Sequence, residues 1–167
     1  MPGVLRLAVD QNFPLTVLDR VAEFLPRSLQ LTPLQRIDPL LTTLDDRPLI
    51  ITLRQLGWQG LVTNNYKMLY EPHEVAAIIE TKAVLVAVQG LGHDPLRAAG
   101  AVLLELPGID HRLLADQASV FLLNYDRRRA KPAWDYLKDT ATKRQQNATM
   151  LWRKHKPTRA ELERRAW

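Results

Sequence analysis

An α/β fold built on a short parallel sheet is the class the sequence predicts, on three observations. Short apolar runs at residues 4–9, 60–63 and 83–88 alternate with longer stretches whose apolar residues recur at helical spacing. The run 83–88 (AVLVAV) is apolar at every position, as a strand covered by helices on both faces would be. Each run ends in polar or glycine-containing turn residues. Together they predict three layers, α/β/α, around a mostly parallel sheet of four or five strands with right-handed crossovers, followed by a basic helical C-terminal arm. The expected division is an α/β domain at 1–126 and an extension at 127–167.

Element by element, residues 4–9 form the first strand and stop at Asp10-Gln11-Asn12. Pro14 then suits an early helical position, and Val17, Leu18, Val21, Ala22 and Leu25 carry a helix to Pro26. Residues 34–37 are the expected second strand, ending at Asp38. Asp45-Asp46-Arg47-Pro48 opens a helix that runs to Gly57. Residues 60–63 form the third strand, closed by Asn64-Asn65, and Glu71-Pro72 starts a helix that ends near Lys82. The fourth strand, 83–88, leads through Gly90-Leu91-Gly92-His93-Asp94-Pro95 into a helix that stops at Pro107-Gly108. Residues 118–125 are read as a fifth strand. One long helix is expected from Pro132 to Pro157, with Trp134 and Trp152 as core or interface residues, and Thr158 with Glu161 caps a last short helix.

Composition narrows the chemistry. The absence of cysteine excludes disulfides and thiolate metal sites, and His73, His93, His111 and His155 never fall at a metal-ligand spacing. With no signal-type segment and no apolar run near the roughly 20 residues that span a bilayer, a soluble cytoplasmic protein is expected. Charge is unevenly divided: residues 127–167 hold 13 Lys/Arg against 4 Asp/Glu, a balance of +9, whereas residues 1–126 hold 10 against 14, a balance of −4. A basic arm on an acidic body suits attraction to phosphate. Gly90-x-Gly92 lacks the third glycine of a dinucleotide site, and Ser28 and Ser119 lack the surroundings of a hydrolase nucleophile.

Open parallel sheets bind ligands beyond the carboxyl ends of their strands. Here those ends carry Asp10 and Asn12, then Asp38, Asp45 and Asp46, then Asn64 and Asn65, then Asp94. Carboxylates brought together repel, and a hard divalent cation, Mg²⁺ or Mn²⁺, relieves the repulsion. Such an ion can activate water and offset charge on a phosphoryl group. Each residue also has a local assignment: Asp10, Asp46 and Asp94 precede expected helices and can cap them, and Asn-Asn is ordinary turn chemistry.

Asp10-x-Asn12-x-Pro14 after an apolar strand, the opening at Asp46 to Ile50, and Leu61-Val62-Thr63-Asn64-Asn65 resemble the PIN-like domains related to the ribonuclease toxins of toxin–antitoxin pairs, over about residues 4–106. The resemblance implies that a first-strand aspartate, an acid in the second unit and an aspartate in a Thr-x-Asp turn hold Mg²⁺ or Mn²⁺ for RNA cleavage. These carry over to Asp10, to Asp46 or Asp38, and to Asn65. Asn65 departs from that pattern, because an amide oxygen can ligate a cation but brings no charge. Lys67 stands near where a further acid is common, and Asp94 is expected to compensate from the next strand end.

The expected function is a metal-dependent endoribonuclease with Asp10, Asp46, Asp38 and Asn65 in the catalytic centre. Asp10, Asp46 and Asp94 are the expected metal ligands, and Asn12, Asn64, Lys67, Arg127, Arg128 and Arg129 the expected RNA contacts. An antitoxin protein and a second copy of the chain are further expected partners. The alternative is a PIN-like module weakened in catalysis that binds nucleic acid or a protein with the same edge. Asn65 separates the two readings.

Overall fold

The computed structural model of the chain describes residues 3–11, 13, 15–21, 24–91, 93–124 and 132–157. The chain divides into two compact units, Met1–Asp126 and Arg127–Trp167. The first contains β1 (Leu5–Val9), α1 (Leu15–Val21), β2 (Leu29–Pro33), α2 (Leu34–Ile37), α3 (Asp46–Gln55), β3 (Gly60–Thr63), α4 (Pro72–Thr81), β4 (Val84–Gln89), α5 (Pro95–Glu105) and β5 (Ser119–Asn124). Single 3-10 turns lie at Pro39–Thr43, Tyr66–Tyr70 and Asp110–Arg112. All five strands are parallel, in the order β2-β1-β3-β4-β5. The α/β expectation holds, with five strands.

The two-residue period of a strand sends alternate side chains to opposite faces, and two separate cores result. Leu5, Leu7 and Val9 of β1, with Val84, Val86 and Val88 of β4, pack with Leu18 of α1 and with Ala98, Ala101 and Val102 of α5. On the other face Ala8, Leu61, Leu85 and Ala87 meet Leu49, Ile50 and Leu53 of α3 and Ala77 and Ile78 of α4. Helices thus cover the sheet from both sides, which is why β4 is apolar throughout. At the centre, Gly60 stands opposite Val84 in the β3–β4 register.

Three expectations change. Residues 34–37 are one turn of helix, and the second strand is Leu29–Pro33. Leu34 and Ile37 fall in the same core, an i,i+3 pair whose shared face is helical, and Pro33 is tolerated because β2 is an edge strand. The crossovers also do not share one hand. The steps from β2 to β3, β3 to β4 and β4 to β5 all advance in the same direction, yet α5 lies on the face of α1 while α3 and α4 lie on the other. The last crossover therefore has the opposite hand to its predecessors. It puts α5 on the opposite face of β5 from Val120 and Leu122, which are 45% and 43% exposed.

In the second unit the single long helix expected from Pro132 is two helices, α6 (Ala133–Lys143) and α7 (Ala148–His155). The break is local chemistry. Gln145 takes a left-handed backbone (φ 55°), and Asn147 Oδ1 caps α7 by accepting from the Met150 amide at 3.1 Å. The helix expected at 158–167 lies outside the described residues. Among the described residues no helix is long and apolar enough to cross a membrane.

Candidate functional site

The strand order reverses between β1 and β3. From β1 the chain moves outward to β2, then returns to the other side of β1 as β3. Loops leaving the carboxyl ends of β1 and β3 diverge at such a point and open a crevice. Asp10 follows β1 and Asn64-Asn65 follow β3, so the topology puts both at its mouth. The β1–β3 ladder extends to them, with the Asp10 amide donating to the Val62 carbonyl at 2.9 Å.

A continuous chain of hydrogen bonds joins the polar groups. The Thr63 hydroxyl, on a residue only 1% exposed, donates to Asp10 Oδ2 at 2.9 Å. Thr63 Oγ1 in turn accepts from the Asn65 backbone amide at 2.9 Å. Asn65 Nδ2 then donates to Asp46 Oδ2 at 2.6 Å, reaching the first turn of α3. Asp10, Thr63, Asn65 and Asp46 therefore form one network linking β1, β3 and α3.

Charge is crowded around it. Burial, reinforced by the neighbouring charges of Asp10 and Asp45, raises the Asp46 carboxyl above its ordinary pKa, against the Asn65 hydrogen bond that lowers it. Glu74, in the first turn of α4, is raised by its own burial and then by the charge of Asp46, with His73 acting in the opposite sense. Its side chain is 14% exposed, and Oε2 is buried without a hydrogen-bond partner. Arg47 of α3 donates to the His73 carbonyl and ties the starts of α3 and α4 together.

A carboxyl with a raised folded-state pKa opposes folding once ionised, so its stability contribution is lost as pH rises from the ordinary value of 4.5 through the folded value. Glu74→Gln is accordingly expected to melt above wild type at neutral pH, with the gap closing below pH 4.5. Melting curves across that range check this. A Glu74→Gln protein less stable at neutral pH would mean that a favourable partner holds the carboxylate.

The other expected residues divide by location. Asp38 caps the Pro39–Thr43 turn, accepting from the Leu40 amide at 2.9 Å. Asp94 caps α5, accepting from the Arg97 amide at 3.1 Å, and pairs with Arg97 Nε at 3.1 Å. Both have local structural partners and neither is hydrogen-bonded into the network. Asn64 Oδ1 is buried with no protein partner, and Lys67 is exposed in the following 3-10 turn. Asp45 occupies the N-cap position of α3 without a side-chain cap bond. Asn12, Arg127, Arg128 and Arg129 lie outside the described residues. Thr63 and Glu74, which the structure brings to this network, are not among the residues expected from the sequence. Thr63 is legible as the polar end of an apolar strand, whereas Glu74 has only the local signature of an acid in the first turn of a helix.

Among the described residues no group of three or more His, Cys, Asp or Glu is disposed to hold a metal ion. The oxygens present still suit a hard cation of the Mg²⁺ kind, which commonly takes one or two carboxylates and completes its shell with water and substrate phosphate. Asp10 and Asp46 offer two carboxylates joined in this network, and Asn64 Oδ1 is a buried neutral oxygen without a protein partner just after β3. Comparison of the chain with protein-family models, with curated proteins and with solved structures returned no match in any of the three.

Proposed function

We propose that the chain is a Mg²⁺- or Mn²⁺-dependent endoribonuclease of the PIN-like kind, with its centre at the β1/β3 crevice. The observation that carries this reading is the Asp10–Thr63–Asn65–Asp46 network, with Glu74 electrostatically coupled to it. Carboxyls of raised proton affinity, Asp46 through burial and the charge of Asp10, and Glu74 through burial and the charge of Asp46, are a costly arrangement for a fold and a useful one for acid–base chemistry.

Asp10 and Asp46 would hold the ion, which when bound supplies an acidic water and offsets charge on the phosphoryl oxygens. Thr63 fixes the rotamer of Asp10 through its hydroxyl. Asn65 orients Asp46 while adding no charge. Glu74, with its raised proton affinity, is suited to accept a proton at Oε2 from an attacking water. Lys67 offers a cation to a backbone phosphate beside the crevice, and the +9 balance of the second unit favours a polyanionic substrate. A toxin role with an antitoxin partner belongs to this same proposal.

A specific observation favours a second reading, a PIN-like module that binds without cleaving. The Asn65 amide already donates to Asp46 and stands where the resembled family has an acid. Incubation of the purified chain with single-stranded RNA, in Mn²⁺, in Mg²⁺ and in EDTA, separates the readings. Metal-dependent cleavage is expected, and its absence with both ions would leave the binding module. Asn65→Asp adds a carboxylate beside Asp46, so it is expected to melt lower than wild type in EDTA and to gain more from Mn²⁺. An equal gain in both proteins would show that position 65 does not take part in ion binding.

A further inference from the structure

The second unit carries an aromatic and cationic surface that the crevice does not use. Trp134 of α6 and Trp152 of α7 meet edge to face, with ring centroids 6.2 Å apart, yet remain 40% and 44% exposed. Of the two expectations for them, core or interface, this exposure excludes the core. The buried hydrophobic residues of this helix pair, among the described ones, are the smaller Ala141 and Leu151, at 1% and 7% exposure. Lys156 Nζ lies 5.2 Å from the Trp152 ring centroid. Lys156, the C-cap residue of α7, follows Trp152 by four residues and Arg153 by three and so lies near both, while Arg153, adjacent to Trp152, is turned about 100° from it around the helix. Arg153 and Lys156 are exposed.

We infer that the α6–α7 pair is a docking surface for single-stranded nucleic acid, with bases stacking on Trp152 and Trp134 and phosphates meeting Arg153 and Lys156. This rests on the reading of the chain as RNA-directed, and it assigns single strands as the substrate class. The chemistry selects that occupant. The unit's +9 balance calls for a polyanion, and half-exposed indole rings offer flat apolar faces that an acidic protein surface would leave unused. Paired bases in a duplex are stacked on one another and present no such face, whereas unpaired bases do.

The test uses the full chain and a fluorescein-labelled oligoadenylate RNA of about 12 nucleotides, within the usual span of a single-strand site. Anisotropy titrations are run in EDTA at several salt concentrations. Trp152→Leu is expected to weaken binding about tenfold with an unchanged salt slope, while Trp152→Phe keeps most of the affinity. Arg153→Gln with Lys156→Gln is expected to lower the log–log salt slope by roughly 0.7 per lost contact. An abasic oligomer of equal length should bind more weakly and be indifferent to Trp152→Leu.

The inference is overturned if Trp152→Leu binds as wild type, if Trp152→Phe is as weak as Trp152→Leu, or if the abasic oligomer binds as well as the RNA. The last two results assign the indole to packing and the surface to a generic polyanion. Should Trp152→Leu lose helical content by circular dichroism, the Trp152→Phe and Arg153/Lys156 comparisons decide. Binding in EDTA needs no cleavage, so an inactive but binding protein defeats only the endoribonuclease reading. Cleavage insensitive to Trp152 defeats only this one.

Discussion

Asp10→Asn is expected to reduce metal-dependent RNA cleavage by about a thousandfold or more and to abolish most of the Mn²⁺-induced rise in melting temperature. The ion's contribution to a phosphoryl transition state is several kcal/mol, and each 1.36 kcal/mol is about a factor of ten in rate. At 100 times its dissociation constant, an ion bound only by the folded state stabilises by about 2.7 kcal/mol, a shift well within reach of a melting experiment. The substitution is mild for the fold. Asparagine retains an oxygen that can accept from Thr63 Oγ1, now at 2.9 Å from Asp10, and it removes a charge that raises the Asp46 carboxyl. In EDTA the variant should thus melt no lower than wild type. Equal Mn²⁺ shifts in the two proteins would remove Asp10 from the metal site and the endoribonuclease reading with it.

Gly60→Ala is expected to be the most damaging single methyl in the first unit. A Cβ built at Gly60 would stand 1.9 Å from the Val84 carbonyl oxygen and 2.7 Å from its carbon. Both are backbone atoms of the neighbouring central strand, in the register Gly60↔Val84, so no side chain can rotate away. Relief requires β3 and β4 to separate between two packed cores, which points to a loss of about 3 kcal/mol or more, or roughly 10 °C in melting temperature. Gly100 is the matched control. It lies inside α5 with no atom within 4 Å of its built Cβ, so Gly100→Ala is expected to stabilise by about 0.5–1 kcal/mol. Thermal denaturation of the two variants beside wild type checks both, and a Gly60→Ala midpoint within a degree of wild type would show that the central strands can part freely.

The network also explains which aspartates the local rules describe. Asp38 and Asp94 behave as the helix-terminus preference says, accepting from amides two and three residues on. Asp10 and Asp46 precede or open helices in the same way, but their oxygens are taken by Thr63 and Asn65, 53 and 19 residues away in sequence. No sequence window holds both partners of either bond. Glu74 is a similar case, since its carboxyl is raised first by its own burial and then by the charge of Asp46, on a different helix.

Determined by the sequence alone were the βα alternation, the buried character of β4, the carboxyl-end positions of Asp10 and Asn64-Asn65, and the charge division between 1–126 and 127–167. Each follows from local periodicity, turn chemistry or counting, which need no knowledge of neighbours in space. Only the tertiary structure decided that residues 34–37 join a helix, because a four-residue apolar run fits either period until its packing face is known. It alone assigned α5 to the face of α1, and with it the exposed face of β5. The joining of Asp10, Thr63, Asn65 and Asp46 likewise depended on strand order, which brings β1 beside β3 across more than 50 residues of intervening chain, as the Thr63–Asp10 separation of 53 residues records. Side-chain partners across such distances are set by which strands pair, and that is a property of the whole sheet.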